Sequence, residues 1–153
     1  MLSDTHGLLR PEALDALRGA EAIVHAGDVG DPDIIRALRA VAPLTAVRGN
    51  IDRGDVTRAL PATAVLRTHG IAIYVLHRLE DLDLDPRHEG FDVVVTGHTH
   101  APLIREADGV LYLNPGSAGP KRFRLPVTVA ELLVGASGGD KARPRARIVS
   151  LEV

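Results

Sequence analysis

No cysteine occurs anywhere in this chain of 153 residues, so disulfide frameworks, thiolate metal sites, iron–sulfur clusters and cysteine nucleophiles are excluded. A bound metal must therefore use imidazole, carboxylate, amide or water. Tryptophan is also absent, and two tyrosines and two phenylalanines are the only aromatics. With a net charge of −2, the chain has neither the basic surplus nor the stacking aromatics of a nucleic-acid binder, and no stable nucleic-acid partner is expected. Long apolar runs are missing as well. The longest, such as Ile71–Leu76, fall far short of the ~20 residues of a membrane helix. No basic segment followed by an apolar one opens the sequence, which leaves a cytoplasmic protein as the expectation.

What is present is the composition of an ordinary soluble globular protein, 45% hydrophobic and 25% charged. The length suits one domain over residues 1–153 with a core of its own. Histidine is the one skew, with seven residues against a single methionine.

Apolar runs alternate with helical patterns in the first half. Glu21–His25, Leu44–Val47 and Phe91–Val95 are short, β-branched and bounded by turn residues, as buried strands are. Pro11–Arg18 and Asp33–Val41 read as amphipathic helices, with Pro11 and Pro32 as start signals and Gly19 as a stop. In the second half, Thr63–Thr68 and Ile71–Leu76 flank His69–Gly70, a hairpin spacing. Leu111–Asn114, Pro126–Val134 and Arg145–Val153 add strands, and Gly135–Pro144 reads as an exposed loop. The pattern predicts an α/β sandwich without internal repeats.

The polar residues cluster where strands should end. Ser3-Asp4-Thr5-His6-Gly7, Gly27-Asp28-Val29-Gly30-Asp31, Gly49-Asn50-Ile51-Asp52 and Gly97-His98-Thr99-His100 each follow or close an apolar run, and Ile71–Leu76 ends in His77. Ligand crevices in α/β sheets lie outside the carboxyl ends of strands. The pattern thus delivers Asp4, His6, Asp28, Asn50, His77, His98 and His100 to one edge. Carboxylate plus imidazole suits Mn, Fe, Ni or Zn without choosing among them. Seven donors exceed the roughly four that one zinc-like ion takes. Shared between two dications with Asp28 bridging, they give each ion about four donors. With a bridging hydroxide the site keeps a net charge of about +1, which attracts phosphate and offers a nucleophile.

The set resembles the calcineurin-like metallophosphoesterases, and in particular the small prokaryotic phosphodiesterases of the YfcE type. Their pattern is Asp-x-His, Gly-Asp-x-x-Asp, Gly-Asn-x-Asp/Glu, a lone His and Gly-His-x-His, and every element stands here in order. The likeness runs from Ser3 to Asn114-Pro115-Gly116-Ser117. It implies a two-sheet β-sandwich flanked by helices and two divalent ions (Mn, Ni, Fe or Zn, with Mn favoured). It assigns Asp4, His6, Asp28 and His100 to one ion, and Asp28, Asn50, His77 and His98 to the other. The implied substrate is a small phosphoester, most readily a diester, attacked by a metal-bridging hydroxide. A non-catalytic interaction scaffold, the use made of the eukaryotic retromer subunit of this family, and a phosphomonoesterase are the alternatives. Family members often form oligomers, so a homo-oligomer is an open expectation.

Three departures and several supporting residues complete the reading. Relatives carry more apolar residues before the Ser-Asp pair, whereas only Met1, Leu2 and Ser3 precede Asp4. The first strand is therefore expected to be unusually short, or the natural chain to start further upstream. Many relatives have histidine after the Gly-Asn pair, where this chain has Ile51. Arg78 follows His77, where relatives often have glycine. Asp31 and Asp52 complete the family motifs and are expected to orient ligands. Arg122 follows the Asn-Pro-Gly-Ser turn and is a candidate phosphate contact. His25 and His69 read as structural, and His88 as solvated. Lys141, Arg143, Arg145 and Arg147 alternate as the solvated face of an edge strand does.

Overall fold

A computed structural model describes residues 1–135 and 143–153. In chain order the elements are α1 (Pro11–Ala16), β1 (Ile23–His25), α2 (Pro32–Val41), β2 (Leu44–Ala46), α3 (Gly54–Ala59), β3 (Thr63–Thr68), β4 (Ile71–Leu76), a 3-10 turn (Leu79–Asp81), β5 (Val93–Val95), β6 (Leu103–Ala107), β7 (Val110–Asn114), β8 (Thr128–Leu133) and β9 (Arg145–Ser150).

One sheet is five-stranded and mixed, in the order β3-β4-β5-β7-β6, with β4, β5 and β7 parallel. The pairs β1-β2 (parallel) and β8-β9 (antiparallel) belong to a second layer. Residues 1–3 join these pairs. Leu2 N–H donates to Val24 O and Leu2 O accepts from Ala26 N–H, while Met1 exchanges both backbone bonds with Ala130. Residues 1–3 are thus the central rung of the second sheet, hydrogen-bonded on both sides.

The core follows from which faces are covered. Val24, Ala26 and Val47 of the second sheet meet Ile71, Ile73, Val75, Val93 and Val95 of the first. The outer face of the large sheet buries Tyr74, Leu76, Val94 and Val110 under Leu82, Leu84 and Phe91. All six residues of β4 are therefore buried, each apolar side chain contributing roughly 1.5–3 kcal/mol. The helices cover the other side: Ile34, Ile35 and Leu38 of α2 pack on Leu2, Ile23 and Val129. Helix α2 starts where Asp31 accepts a hydrogen bond from Asp33 N–H, with Pro32 in the first turn.

The hairpin at His69–Gly70 forms as expected, both residues having positive φ. Two elements escaped the sequence. Strand β6 is an exposed edge strand without apolar alternation, and α3 is a six-residue helix with no side-chain cap. The Asp108–Gly109 turn, both residues at positive φ, was the available signal for the β6-β7 hairpin. Most of the loop read at Gly135–Pro144, and Lys141, lie outside the described residues. Arg143, Arg145 and Arg147 are exposed, and Arg143 and Arg147 pair with Glu106 and Glu131 across neighbouring strands. Among the described residues no helix is long and apolar enough to cross a membrane.

Candidate metal centre

Parallel strands place the motif residues at one rim. Asp4 follows the residues 1–3 rung, Asp28 follows β1, Asn50 follows β2, His77 ends β4, and His98 and His100 follow β5. The backbone at this rim is unusual. Eight non-glycine residues among those described have positive φ, and five of them are Asp4, His6, Asp28, His98 and His100. Such conformations cost about 1–3 kcal/mol each and persist where the surroundings enforce them. The adjacent glycines serve close approach: a Cβ at Gly97 would stand 2.8 Å from Asp4 Oδ2, and one at Gly49 would intrude on the Asp28 carboxylate.

The side chains form two adjoining clusters. In the first, His6 Nε2 and His100 Nε2 are 3.2 Å apart, Asp4 Oδ1 is 3.3 Å from His100 Nε2 and 3.8 Å from His6 Nε2, and Asp28 Oδ2 is 3.6 Å from His6 Nε2. In the second, Asn50 Oδ1 lies 3.0 Å from both His77 Nε2 and His98 Nδ1, and Asp28 Oδ1 lies 3.3 Å from His77 Nε2. Donors held about 2.0–2.2 Å from a tetrahedral ion stand about 3.3–3.6 Å from one another. The observed spacings straddle that range, and the donors are nitrogens and oxygens without sulfur. The residues fit divalent cations.

Protonation follows from the partners. His77 Nδ1 lies 2.7 Å from Ala26 O. A carbonyl only accepts, so Nδ1 carries a proton, and Nε2 faces two oxygens, Asn50 Oδ1 and Asp28 Oδ1. Burial opposes a charge on His77, but the Asp28 carboxylate and the Ala26 carbonyl outweigh it and hold the ring above its ordinary pKa. Burial likewise works to raise Asp28, yet the His77 and Ile51 hydrogen bonds hold it low. Asp4 is raised to about 6 by burial, against the Ser3 hydroxyl at 2.6 Å. Burial lowers His100 to about 4 and depresses His6, and the positive charge of Arg122 pushes both the same way. Arg122 therefore stands within electrostatic reach of the first cluster.

Of the two supporting aspartates, Asp52 is buried and accepts from Val29, Gly30 and Gly49 N–H at 3.2, 2.8 and 2.7 Å, tying the Asp28 loop to the Asn50 loop. Asp31, also expected to orient ligands, accepts from Asp33 N–H through Oδ1 and so caps α2. His69 pairs with Glu21 on the far side of the molecule, and His88 is exposed. Sequence reasoning gave no role to Ser3, Thr5 or Asn114. Asn114 Nδ2–H donates to Gly97 O at 2.8 Å and Thr99 Oγ1 at 3.1 Å, fixing the His98–His100 turn. Its place at the head of the Asn-Pro-Gly-Ser turn was the signal.

A probable metallophosphoesterase of Methanothermobacter thermautotrophicus is 36% identical over 141 residues, covering 82% of this chain and 80% of that protein. The solved structure of an archaeal phosphodiesterase is 23% identical with a TM-score of 0.77 over 98% of this chain and 97% of that one. The phosphoesterase YfcE from E. coli is 26% identical with a TM-score of 0.65, covering 84% of each chain. Vps29 from Entamoeba histolytica, solved with Zn²⁺, is 22% identical with a TM-score of 0.71 over 97% of this chain and 96% of that one. The fold is therefore that of the metallophosphoesterases, and residues 1–136 match the family model of the calcineurin-like phosphoesterase superfamily domain. This chain belongs to that superfamily.

Proposed function

We propose that this protein is a dinuclear metal-dependent phosphoesterase that favours diesters. The observation that carries the reading is the orientation of Asp28. Its Oδ2 faces His6 in the first cluster and its Oδ1 faces His77 in the second, as a carboxylate shared by two cations must. Asp4, His6, Asp28 and His100 would hold one ion, and Asp28, Asn50, His77 and His98 the other. Such a pair, when bound, acts as a Lewis acid and lowers the pKa of bound water so that a nucleophile exists at neutral pH.

The chain's own residues do the rest. Asp52 holds the Asp28 and Asn50 loops in register, and Arg122 adds positive charge beside the first cluster for the phosphoester oxygens. Ile51, partly exposed next to Asn50, has no proton to give to a leaving group. General acid help is worth about 10²–10⁴-fold and matters most for alkoxides. Esters with acidic leaving groups, and diesters with their single charge, are therefore the best match for a site of net charge about +1.

The test is a panel of phosphoesters with Mn²⁺, Ni²⁺, Zn²⁺ and Mg²⁺ on protein purified without chelator. Bis(p-nitrophenyl) phosphate should be hydrolysed faster than p-nitrophenyl phosphate, and Ile51→His should gain relative activity on alkyl esters. A preference for the monoester under the best metal would overturn the diester reading. Less than about half an equivalent of transition metal, with no activity restored by Mn²⁺, would leave the scaffold use of the fold instead.

A further inference from the structure

Beneath the two clusters lies a buried pair that the metal reading does not use. His25 ends β1 and Thr5 sits between Asp4 and His6; their exposures are 1% and 0%. Thr5 Oγ1 is 3.0 Å from Val29 O, a group that only accepts, so the hydroxyl proton is directed there. The 2.9 Å contact between Thr5 Oγ1 and His25 Nε2 must then be donated by the imidazole. That fixes the tautomer and leaves His25 Nδ1 bare, where it accepts from Gly27 N–H at 3.2 Å. Every donor in this chain of bonds meets an acceptor, and the ring is neutral.

The chain of bonds runs between parts that each carry ligands. Thr5 separates two proposed ligands. Val29 follows Asp28. Gly27 precedes Asp28 and lies flat against the His77 ring, whose Nδ1 would stand 2.6 Å from any Cβ there. Backbone bonds from Asp4, His6 and Gly7 to Gly27, Asp28 and Val29 already set the register of the two loops. They do not serve Gly27 N–H, which the His25 imidazole does, beside three residues with positive φ, Asp4, His6 and Asp28.

We infer that Thr5 and His25 form a positioning strut that fixes the separation between the Asp4–His6 loop and the Asp28 loop, and thereby the spacing of the donors shared by the two ions. The inference rests on the metal reading above. Groups that orient ligands in this way are worth about 10–100-fold in metal affinity.

The experiment titrates Mn²⁺ calorimetrically into the full chain, without substrate, for wild type, Thr5→Val, Thr5→Ser and His25→Gln. Thr5→Val keeps the shape and removes the hydroxyl, and should weaken Mn²⁺ binding by about 10–100-fold. Thr5→Ser restores the hydroxyl and should bind as wild type does. His25→Gln keeps an N–H reaching toward Thr5 but gives up the acceptor under Gly27, and should fall between. A folded Thr5→Val protein with a lowered Tm and unchanged Mn²⁺ affinity at 25 °C would overturn the strut. If Thr5→Val does not fold, unchanged affinity in folded His25→Gln overturns it equally. Wild type that takes up no Mn²⁺ would overturn the metal reading first, and the strut with it.

Discussion

His77 turns Nε2 toward the carbonyl oxygen of Asn50, 3.0 Å away, and toward Asp28 Oδ1 at 3.3 Å. Three electron-rich atoms held this close repel unless a proton or a cation stands among them. The Asp28 carboxylate and the Ala26 carbonyl favour the proton in the metal-free protein and hold His77 above its ordinary pKa despite burial.

A divalent ion that binds the folded chain alone therefore stabilises it. At a hundred times its dissociation constant a ligand adds about 2.7 kcal/mol, which for a chain of this size raises Tm by about 5–10 °C. Thermal unfolding with Mn²⁺ and with excess chelator measures the difference.

Asp28→Asn removes a negative charge from a carboxylate whose Oδ2 faces His6 in the first cluster and whose Oδ1 faces His77 in the second. His98→Ala touches only the second. Loss of kcat/KM in Asp28→Asn should exceed about 100-fold, above the range assigned to an outer partner, and should exceed that of His98→Ala. Metal content of the two purified variants, measured alongside activity, checks whether both ions leave together.

Gly49 is not among the residues of positive φ, so alanine suits its backbone. The space does not suit it, because the added methyl would enter the Asp28 carboxylate and its backbone nitrogen. Gly49→Ala should cost about 1–3 kcal/mol of stability as an overpacked site and should weaken Mn²⁺ binding. Denaturant unfolding and metal titration of the same sample separate the two effects.

Metal binding should grow stronger with rising pH. Asp4 keeps its proton up to about 6 in the metal-free fold, against an ordinary value of 3.8. Its contribution to metal-free stability is thus present below pH 3.8 and lost as pH rises through 6. A cation must displace that proton below pH 6, and the raised His77 proton as well. Burial depresses both His6 and His100, so they hold their protons against the cation less strongly than Asp4 and His77 do. More protons should be released per bound ion near pH 5 than near pH 8. Calorimetry in buffers of different ionisation enthalpy counts them.

The proposed ligands were legible because they fall in short motifs built around a glycine, such as Gly27-Asp28, Gly49-Asn50 and Gly97-His98, or end an apolar run as His77 does, and chemistry of that kind leaves a local mark. Asp52 was legible as the last residue of one such motif. The Thr5–His25 pair was not: a threonine inside a motif and a histidine in a strand have many ordinary uses, and only their meeting across 20 positions of sequence gives them one. Asp31 was ambiguous, because an aspartate before proline caps a helix as readily as it supports a ligand. Strand β6 escaped because an edge strand with both faces wet, such as Leu103–Ala107, has no need of alternation.

The proposed ligands come from both layers of the sandwich. Asp4, Asp28 and Asn50 follow strands of the small sheet, whereas His77, His98 and His100 follow strands of the large one. Cations seated at the rim would therefore act as rivets through the seam, closing loops of 94 positions between His6 and His100 and 48 between Asn50 and His98. Closing long loops is what makes a cross-link effective against the unfolded chain. The same ions would resist the two sheets parting like the covers of a book.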